Sequence, residues 1–319
     1  MIMPCYNAEK YLGKAIQSVI AQAFAGWELI IVNDGSIDAS RKIAEDFANR
    51  ENRIQVVSKE NGGYVSARLH GIPYANKESR YFYFFDADDV LHPLYLQTLL
   101  GEMEKNSLAG AIYCDHLLID ENDKALNKPL YGQRYIPTLF GVKELDEKEP
   151  FTPFISIICW AKIIEPLTII RRKAYEDAGG WDLAFGKGKG NYGEGIVLFG
   201  QIALQWKVIY VNQPLYSYRK HSAQFTAHHD LANTEKKLSR IWKEKMALYP
   251  EYSRGIQYAL IFKRSRLEAF KNRNRLKHNL RFHPLHGIGL FFKIIYLYLV
   301  SLQLLFFKRK NFEKLISQK

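Results

Sequence analysis

The stretch Tyr81–Leu91, YFYFFDADDVL, decides how the rest of the chain is read. Five consecutive aromatics, Tyr81 to Phe85, run into three carboxylates, Asp86, Asp88 and Asp89. An apolar run without alternation fits a strand buried on both faces, as in a parallel sheet. Carboxylates do not follow it inward, because an unpaired buried charge costs several kcal/mol or more. They are expected where the strand emerges at its carboxyl end, the edge at which open α/β sheets bind ligands. Hard oxygen donors grouped there suit Mg²⁺ or Mn²⁺, ions that also hold substrate phosphates. Taken alone, D-x-D-D reads equally well as an acidic turn capping the following helix. The residues before it separate the two readings.

Residues 1–5 read as a short strand ending at Pro4, and Ala8–Gln22 carries apolar residues at Leu12, Ala15, Ile16, Val19 and Ile20, a helical period. Trp27–Val32 is a second buried-strand candidate. It ends at Asn33-Asp34-Gly35-Ser36, a turn whose Ser or Asp can cap a helix over Ala39–Asn49. Ile54–Val57 is a third strand, Gly62-Gly63 a turn, and Val65–Ala75 a third helix. Strand and helix alternating over short connections predict a doubly wound parallel sheet. Polar groups then collect at three successive strand ends: Tyr6 and Asn7, Asp34, and Asp86 with Asp88. Three strand ends converging on one edge describe a nucleotide site better than three unrelated caps. Beyond it, Ala111–Cys114 reads as a strand, Asp120–Pro153 as loop or irregular hairpin, Ile196–Ala203 as a helix and Lys207–Val211 as a strand.

The chain has 319 residues, enough for one α/β domain and a smaller unit. Three cysteines without motif spacing (Cys5, Cys114, Cys159) argue for a reducing compartment and small core residues. The opening MIMPCYN lacks the pattern of a secretory signal. The net charge of +12 is uneven: residues 236–319 hold 20 Lys and Arg against 4 Asp and Glu, whereas residues 1–235 hold 25 against 29. The basic part is expected to face an anionic surface. No nucleic-acid motif accompanies it, so nucleic acid is not an expected partner.

In order along residues 1–225 stand MPCYNAEKYLGKAIQSVIAQ, WELIIVNDGSIDAS, NGGYVSARLHGI, FFDADD, RRKAYEDAGGWD and YSYRKHS. This series resembles an inverting glycosyltransferase of family 2, with the GT-A fold, the Rossmann-like nucleotide-diphospho-sugar transferase sheet. The resemblance implies that Pro4, Tyr6 and Asp34 hold the base and ribose of a nucleotide-sugar donor, and that Arg68 lies near the nucleotide. It implies that Asp86 and Asp88 bracket the diphosphate and a Mg²⁺ or Mn²⁺ ion, that Trp181-Asp182 shapes the acceptor side, and that His221 approaches the metal or diphosphate. His70, His92, His116, His228 and His229 are read as surface or packing residues. The activity implied is transfer from a nucleotide-diphosphate donor, UDP-linked, to a glycan of a surface polysaccharide. A nucleotidyltransferase shares this sheet and metal chemistry, but would show a glycine-rich phosphate loop with a basic residue near the amino terminus, and Met1–Asn7 has none.

One departure bears on catalysis. The family places Glu-Asp after the glycine-rich loop, the Asp being the base; here the pair is Glu194-Gly195. Glu194 can serve as base from one position earlier, Asp182 can take the role, or the chain binds donor without efficient turnover. A second feature bears on location. Within a helical, basic carboxyl-terminal region (226–319), Ile288–Phe307 is almost wholly apolar, interrupted by Lys293 and closed by Lys308-Arg309-Lys310. Twenty helical residues span about 30 Å, near the thickness of a bilayer core. The expectation is a helix lying in the cytoplasmic leaflet, held by apolar burial and anionic lipid, with a single span or a buried core helix as alternatives. A lipid-linked acceptor would suit that location. Oligomeric state is left open.

Overall fold

The computed structural model describes residues 1–126, 165–183, 193–222 and 231–248. The chain divides into two compact units, Met1–Glu147 with Ile163–Thr234, and Lys148–Lys162 with Glu235–Lys319. The sheet and the candidate site belong to the first. The apolar segment 288–307 and the basic run before it lie outside the described residues, as do Cys159, His228 and His229.

Alternation holds over the first third: β1 (Ile2–Cys5), α1 (Glu9–Ile20), β2 (Leu29–Asn33), α2 (Ser40–Ala48), β3 (Ile54–Ser58) and α3 (Tyr64–Gly71), the last followed by a 3₁₀ turn at Ile72–Tyr74. The three strands are parallel in the order β1-β2-β3, with Ile2 opposite Ile30 and Leu29 opposite Ile54. Every residue of β2 is buried, as its unbroken apolar run requires, and α1 buries Leu12, Ala15, Ile16 and Val19 along one stripe.

The aromatic stretch is the next strand across. Only β4 (Tyr81–Tyr83) is formally paired, but Phe84 bridges Ile2 in parallel and the Phe85 amide donates to the Ile2 carbonyl at 3.0 Å. Phe82 to Phe85 are all buried. Alternate rings enter two clusters: Phe82 and Phe84 meet Tyr175 and Trp181, while Tyr83 and Phe85 meet Tyr95 and Tyr216. Burial on both faces thus comes from aromatic packing on each side of the strand.

Beyond this strand the parallel expectation is corrected. The following strands are β5 (Val90–Leu91), β6 (Ala109–Ile119), β7 (Thr168–Arg171) and β8 (Lys207–Arg219), in the order β4-β7-β6-β8-β5. β7 is antiparallel to both β4 and β6, β6 and β8 are parallel, and β5 is antiparallel to β8. A short buried run such as TIIR carries no signal of direction, since its hydrophobicity reads the same either way, so the mixed sheet is not legible in the pattern. β6 and β8 also extend well past their apolar cores, through irregular register around Asp115. Helix α4 (Tyr95–Glu104) packs on β6 and β8, and α5 (Arg172–Asp177) on β4, β6 and β7. Helix α6 (Glu194–Gln205) is buried over nearly its whole circumference, as its composition demands. The last described helix is α7 (Leu231–Leu248).

One close approach sets the position of α3. A Cβ on Gly71 would stand 2.6 Å from Ile2 Cγ2 and 3.0 Å from Val32 Cγ2, so the helix rests directly on β1 and β2. Arg68 lies one turn earlier on that helix.

Candidate active site

The carboxyl ends of β1, β2 and the aromatic strand meet at one edge, and the loops there are tied together by their own polar groups. The helices α1 and α2 cap each other. The Glu9 amide donates to Asp38 Oδ2 at 3.1 Å, the Ala39 amide to Glu9 Oε2 at 2.8 Å, and the Ala8 amide to Ser40 Oγ at 2.8 Å. Asp38 Oδ1 also accepts from the Ser40 amide at 2.9 Å, so the cap expected of Ser36 or Asp34 falls to Asp38. Asn7, at φ +49°, accepts from the Ile37 amide at 3.0 Å, and Tyr6 beside it is 52% exposed. Pro4 lies in β1 opposite Val32.

Asp34 is spent inward. Its Oδ1 accepts from Lys59 Nζ at 2.7 Å and the Gly62 amide at 3.0 Å; its Oδ2 accepts from Gly62 at 3.2 Å and Gly63 at 2.8 Å. Those contacts use about the four lone-pair positions a carboxylate has. They clamp the turn that opens α3, where Gly63 sits at φ +85°.

The acidic tip is sorted by direction. Asp89 is buried, accepting from the Tyr216 hydroxyl and from the Arg219 amide at 2.7 Å, and burial raises its carboxyl well above the usual range. Asp86 and Asp88 face outward, their side chains 32% and 29% exposed. Arg68 Nη2 donates to Asp86 Oδ1 at 3.1 Å, and His221 Nε2 lies 2.9 Å from Asp88 Oδ2. Burial pushes the Asp86 carboxyl up to about 6; Arg68 opposes this, and Asp88 and Glu194 add to it. Among the described residues no three His, Cys, Asp or Glu side chains form a ready metal cluster.

Glu194 opens α6 directly after Gly193, which turns the chain at φ +107°. It is 5% exposed, and its Oε2 has no hydrogen-bond partner among the described residues. Gly195, also buried, brings no carboxylate to this turn. Trp181 is buried with its ring edge-on to Phe84 and Phe199, and the Arg68 guanidinium lies 4.9 Å over its face. Asp182 follows it at the exposed surface. The tip, Arg68 and His221 are thus brought together, with Glu194 near enough to act on the Asp86 carboxyl, while Trp181 lies under Arg68. Cys5 and Cys114 are buried, with burial raising each thiol to about 12, as inert core residues require.

Sequence reasoning gave no role to Lys59, Tyr11, Tyr216 or Arg219. Arg219 sits inside the quoted YSYRKHS, which was its one signal; it donates Nε to the Asp88 carbonyl at 2.7 Å and is 1% exposed. Lys59 carries none, since a lysine after a strand is ordinarily a solvated charge.

Residues 1–165 match the family described as glycosyl transferase family 2. Over 253 residues the chain is 30% identical to glycosyltransferase GlyA of Streptococcus pneumoniae serotype 4, covering 77% of this chain and 32% of that protein. The chain thus spans about a third of the length of the GlyA relative. In three dimensions it resembles S. aureus TarS, solved in complex with UDP-GlcNAc, at TM-score 0.61 and 16% identity over 93% of this chain and 80% of that one. It also resembles the mannosyltransferase PcManGT of Pyrobaculum calidifontis, solved with GDP-Man and Mn²⁺, at TM-score 0.54 and 14% identity over 96% and 86%. The structural likenesses bear on the fold, which is that of the GT-A glycosyltransferases, and the match over the first 165 residues completes the assignment: the chain belongs to glycosyl transferase family 2.

Proposed function

We propose that the protein transfers a sugar from a UDP-linked donor to a hydroxyl of a growing cell-surface glycan, with inversion at the anomeric carbon. The observation that carries this reading is the outward pair Asp86 and Asp88 at the end of a buried strand, flanked by Arg68 and His221. Two hard carboxylates and an imidazole suit Mg²⁺ or Mn²⁺, and are too few to enclose it, which leaves coordination positions for donor phosphates and water. Such an ion supplies Lewis-acid stabilisation of the departing diphosphate.

The chain's own residues do the rest. Pro4, Tyr6 and Asp34 form the rim for the base and ribose, a base N–H taking an Asp34 lone pair now given to Lys59 or the glycine turn. Arg68 adds positive charge beside the phosphates. Glu194 accepts the proton of the acceptor hydroxyl, its buried Oε2 having no hydrogen-bond partner among the described residues; Asp182, at the surface, lies on the acceptor side. The solved relatives holding UDP-GlcNAc and GDP-Man with Mn²⁺ support a nucleotide-sugar donor. Calorimetry of UDP with and without Mn²⁺, followed by a screen of nucleotide-sugars for donor consumption, tests the proposal. UDP binding indifferent to Mn²⁺ would sink it.

The pH dependence follows from Asp86. Its folded value of about 6 lies above the ordinary 3.8, so the folded chain holds this proton more tightly than the unfolded one. The resulting stabilisation is present below 3.8 and lost as pH rises through about 6. Cation binding runs the other way, because it needs the carboxylate. Mn²⁺-dependent UDP affinity is therefore expected to fall as pH drops below about 6, by roughly tenfold per unit.

A second reading follows from the resemblance, which implies that Gly195 takes the place of the family's base: a chain that binds donor without efficient turnover. UDP–Mn²⁺ binding without donor consumption would select it. The basic region 226–319, with its apolar segment 288–307, is proposed to dock on anionic lipid of the cytoplasmic leaflet, near a lipid-linked acceptor. Sedimentation of the full chain with vesicles containing phosphatidylserine, and not with neutral ones, is the expected outcome; equal sedimentation with neither refutes it.

A further inference from the structure

We propose that Arg219, together with the surface turn Asp120–Lys124, sets the position of Asp88 and His221, so that a contact on that turn governs cation affinity at the strand edge. The effect on affinity rests on the reading of Asp88 and His221 as cation ligands; the positioning itself does not.

Arg219 ends β8, two residues before His221, and its side chain is 1% exposed. A buried guanidinium is costly unless its donors are met, and this one is met in two directions. Toward the site, Nε donates to the Asp88 carbonyl at 2.7 Å, and the Arg219 amide donates to Asp89 Oδ1 at 2.7 Å. One residue thus grips two members of the acidic tip, and the peptide that it grips is the one from which the Asp88 side chain projects. Away from the site, Nη1 donates to the Asp120 carbonyl at 3.1 Å and pairs with Asp123 at 2.6 Å.

The turn on that far side is closed and anchored. Asp120 Oδ1 accepts from the amides of Asn122 at 2.8 Å and Lys124 at 2.9 Å, and Asp123 sits at φ +67°. Lys10 pairs with Glu121 at 2.8 Å and Lys14 with Asp123, tying the turn to α1. Burial works to raise the Asp123 carboxyl, and Lys14 and Arg219 overcome it, holding it below the usual range. The circuit closes through Tyr11 on the same helix. The Arg219 guanidinium lies 4.8 Å from the centre of its ring, and the His221 ring lies 4.7 Å from it. Asp88 and His221, which face each other at 2.9 Å, are therefore held from behind by one arginine and one ring, both referred to α1 and the turn.

A purely structural role would make Arg219 a stabiliser whose loss is felt only in melting. A positioning role makes a further demand: removing the negative charge of Asp123, a side chain one-third exposed, must be felt at His221. Two variants of the full chain serve, Asp123→Asn and Arg219→Lys; the second keeps the charge and loses the planar fork. Two readouts serve, ¹⁵N spectra of the histidine imidazoles in metal-free protein, and Mn²⁺ affinity in the presence of UDP.

The expected result is a displaced His221 resonance in both variants. Mn²⁺ affinity should fall about three- to tenfold in Asp123→Asn and about tenfold or more in Arg219→Lys, the range for contacts behind a metal ligand. If Arg219→Lys does not fold, Asp123→Asn decides alone. A His221 resonance unmoved in Asp123→Asn overturns the proposal. A resonance that moves while the wild-type chain shows no Mn²⁺-dependent UDP binding keeps the positioning and refutes the cation site instead.

Discussion

Replacing Asp88 by asparagine is expected to lower donor turnover by about a thousandfold, because it weakens the hold on the cation proposed to stabilise the departing diphosphate, and losing one such stabiliser costs on this scale. Asparagine keeps the shape of the side chain and a carbonyl oxygen toward His221, so the 2.9 Å contact has a substitute and the fold has no reason to loosen. What disappears is the charge. The loss should appear in donor consumption and in Mn²⁺ titration together, with an unchanged melting temperature. Asp89→Asn is the informative contrast. That residue faces Tyr216 and the Arg219 amide inside the protein, so its replacement should act on stability first. A turnover in Asp88→Asn within threefold of wild type would show that the outward pair has no part in the reaction.

Glu194→Gln is the second large effect expected, about a hundredfold or more in turnover, with UDP–Mn²⁺ affinity kept. The glutamine is isosteric and cannot take a proton. Its partner experiment is Gly195→Asp, which returns a carboxylate to the next position of the same helical turn and is expected to raise turnover. If Glu194→Gln transfers sugar as well as wild type, Glu194 is not the base. If the wild-type chain is inactive and Gly195→Asp alone gains activity, the non-transferring reading is the right one. Single-turnover measurements with a consumed nucleotide-sugar separate these outcomes from a defect in donor binding.

Much of this site could be read from the sequence, for a physical reason. The runs LIIV and YFYFF, short, unbroken and rich in β-branched or aromatic residues, read as buried strands, so the polar residues that end them are expected at one edge. That logic located Asp34, Asp86 and Asp88 together. It failed wherever identity depends on direction. The run TIIR could not announce that β7 is antiparallel. Asp34 and Asp38 are both acids in one loop, and only the chain's path shows that the second caps α2 while the first clamps Gly62 and Gly63. Within the acidic tip, Asp88 is partly exposed and Asp89 buried, a difference that spacing alone does not encode. Arg219 escaped because two of its partners are main-chain oxygens, which no residue pattern marks, and its carboxylate partner, Asp123, lies far back in the chain.

The bare flank of α3 at Gly71 carries a further meaning. With Ile2 and Val32 closer to an imagined methyl group than ordinary contact allows, a side chain at Gly71 would lift the helix and take Arg68 along. The gap between guanidinium and Asp86 is then metered by the absence of a side chain three residues away, on the opposite end of the lever from the phosphates it would serve. A hydrogen atom acts as the spacer of the site.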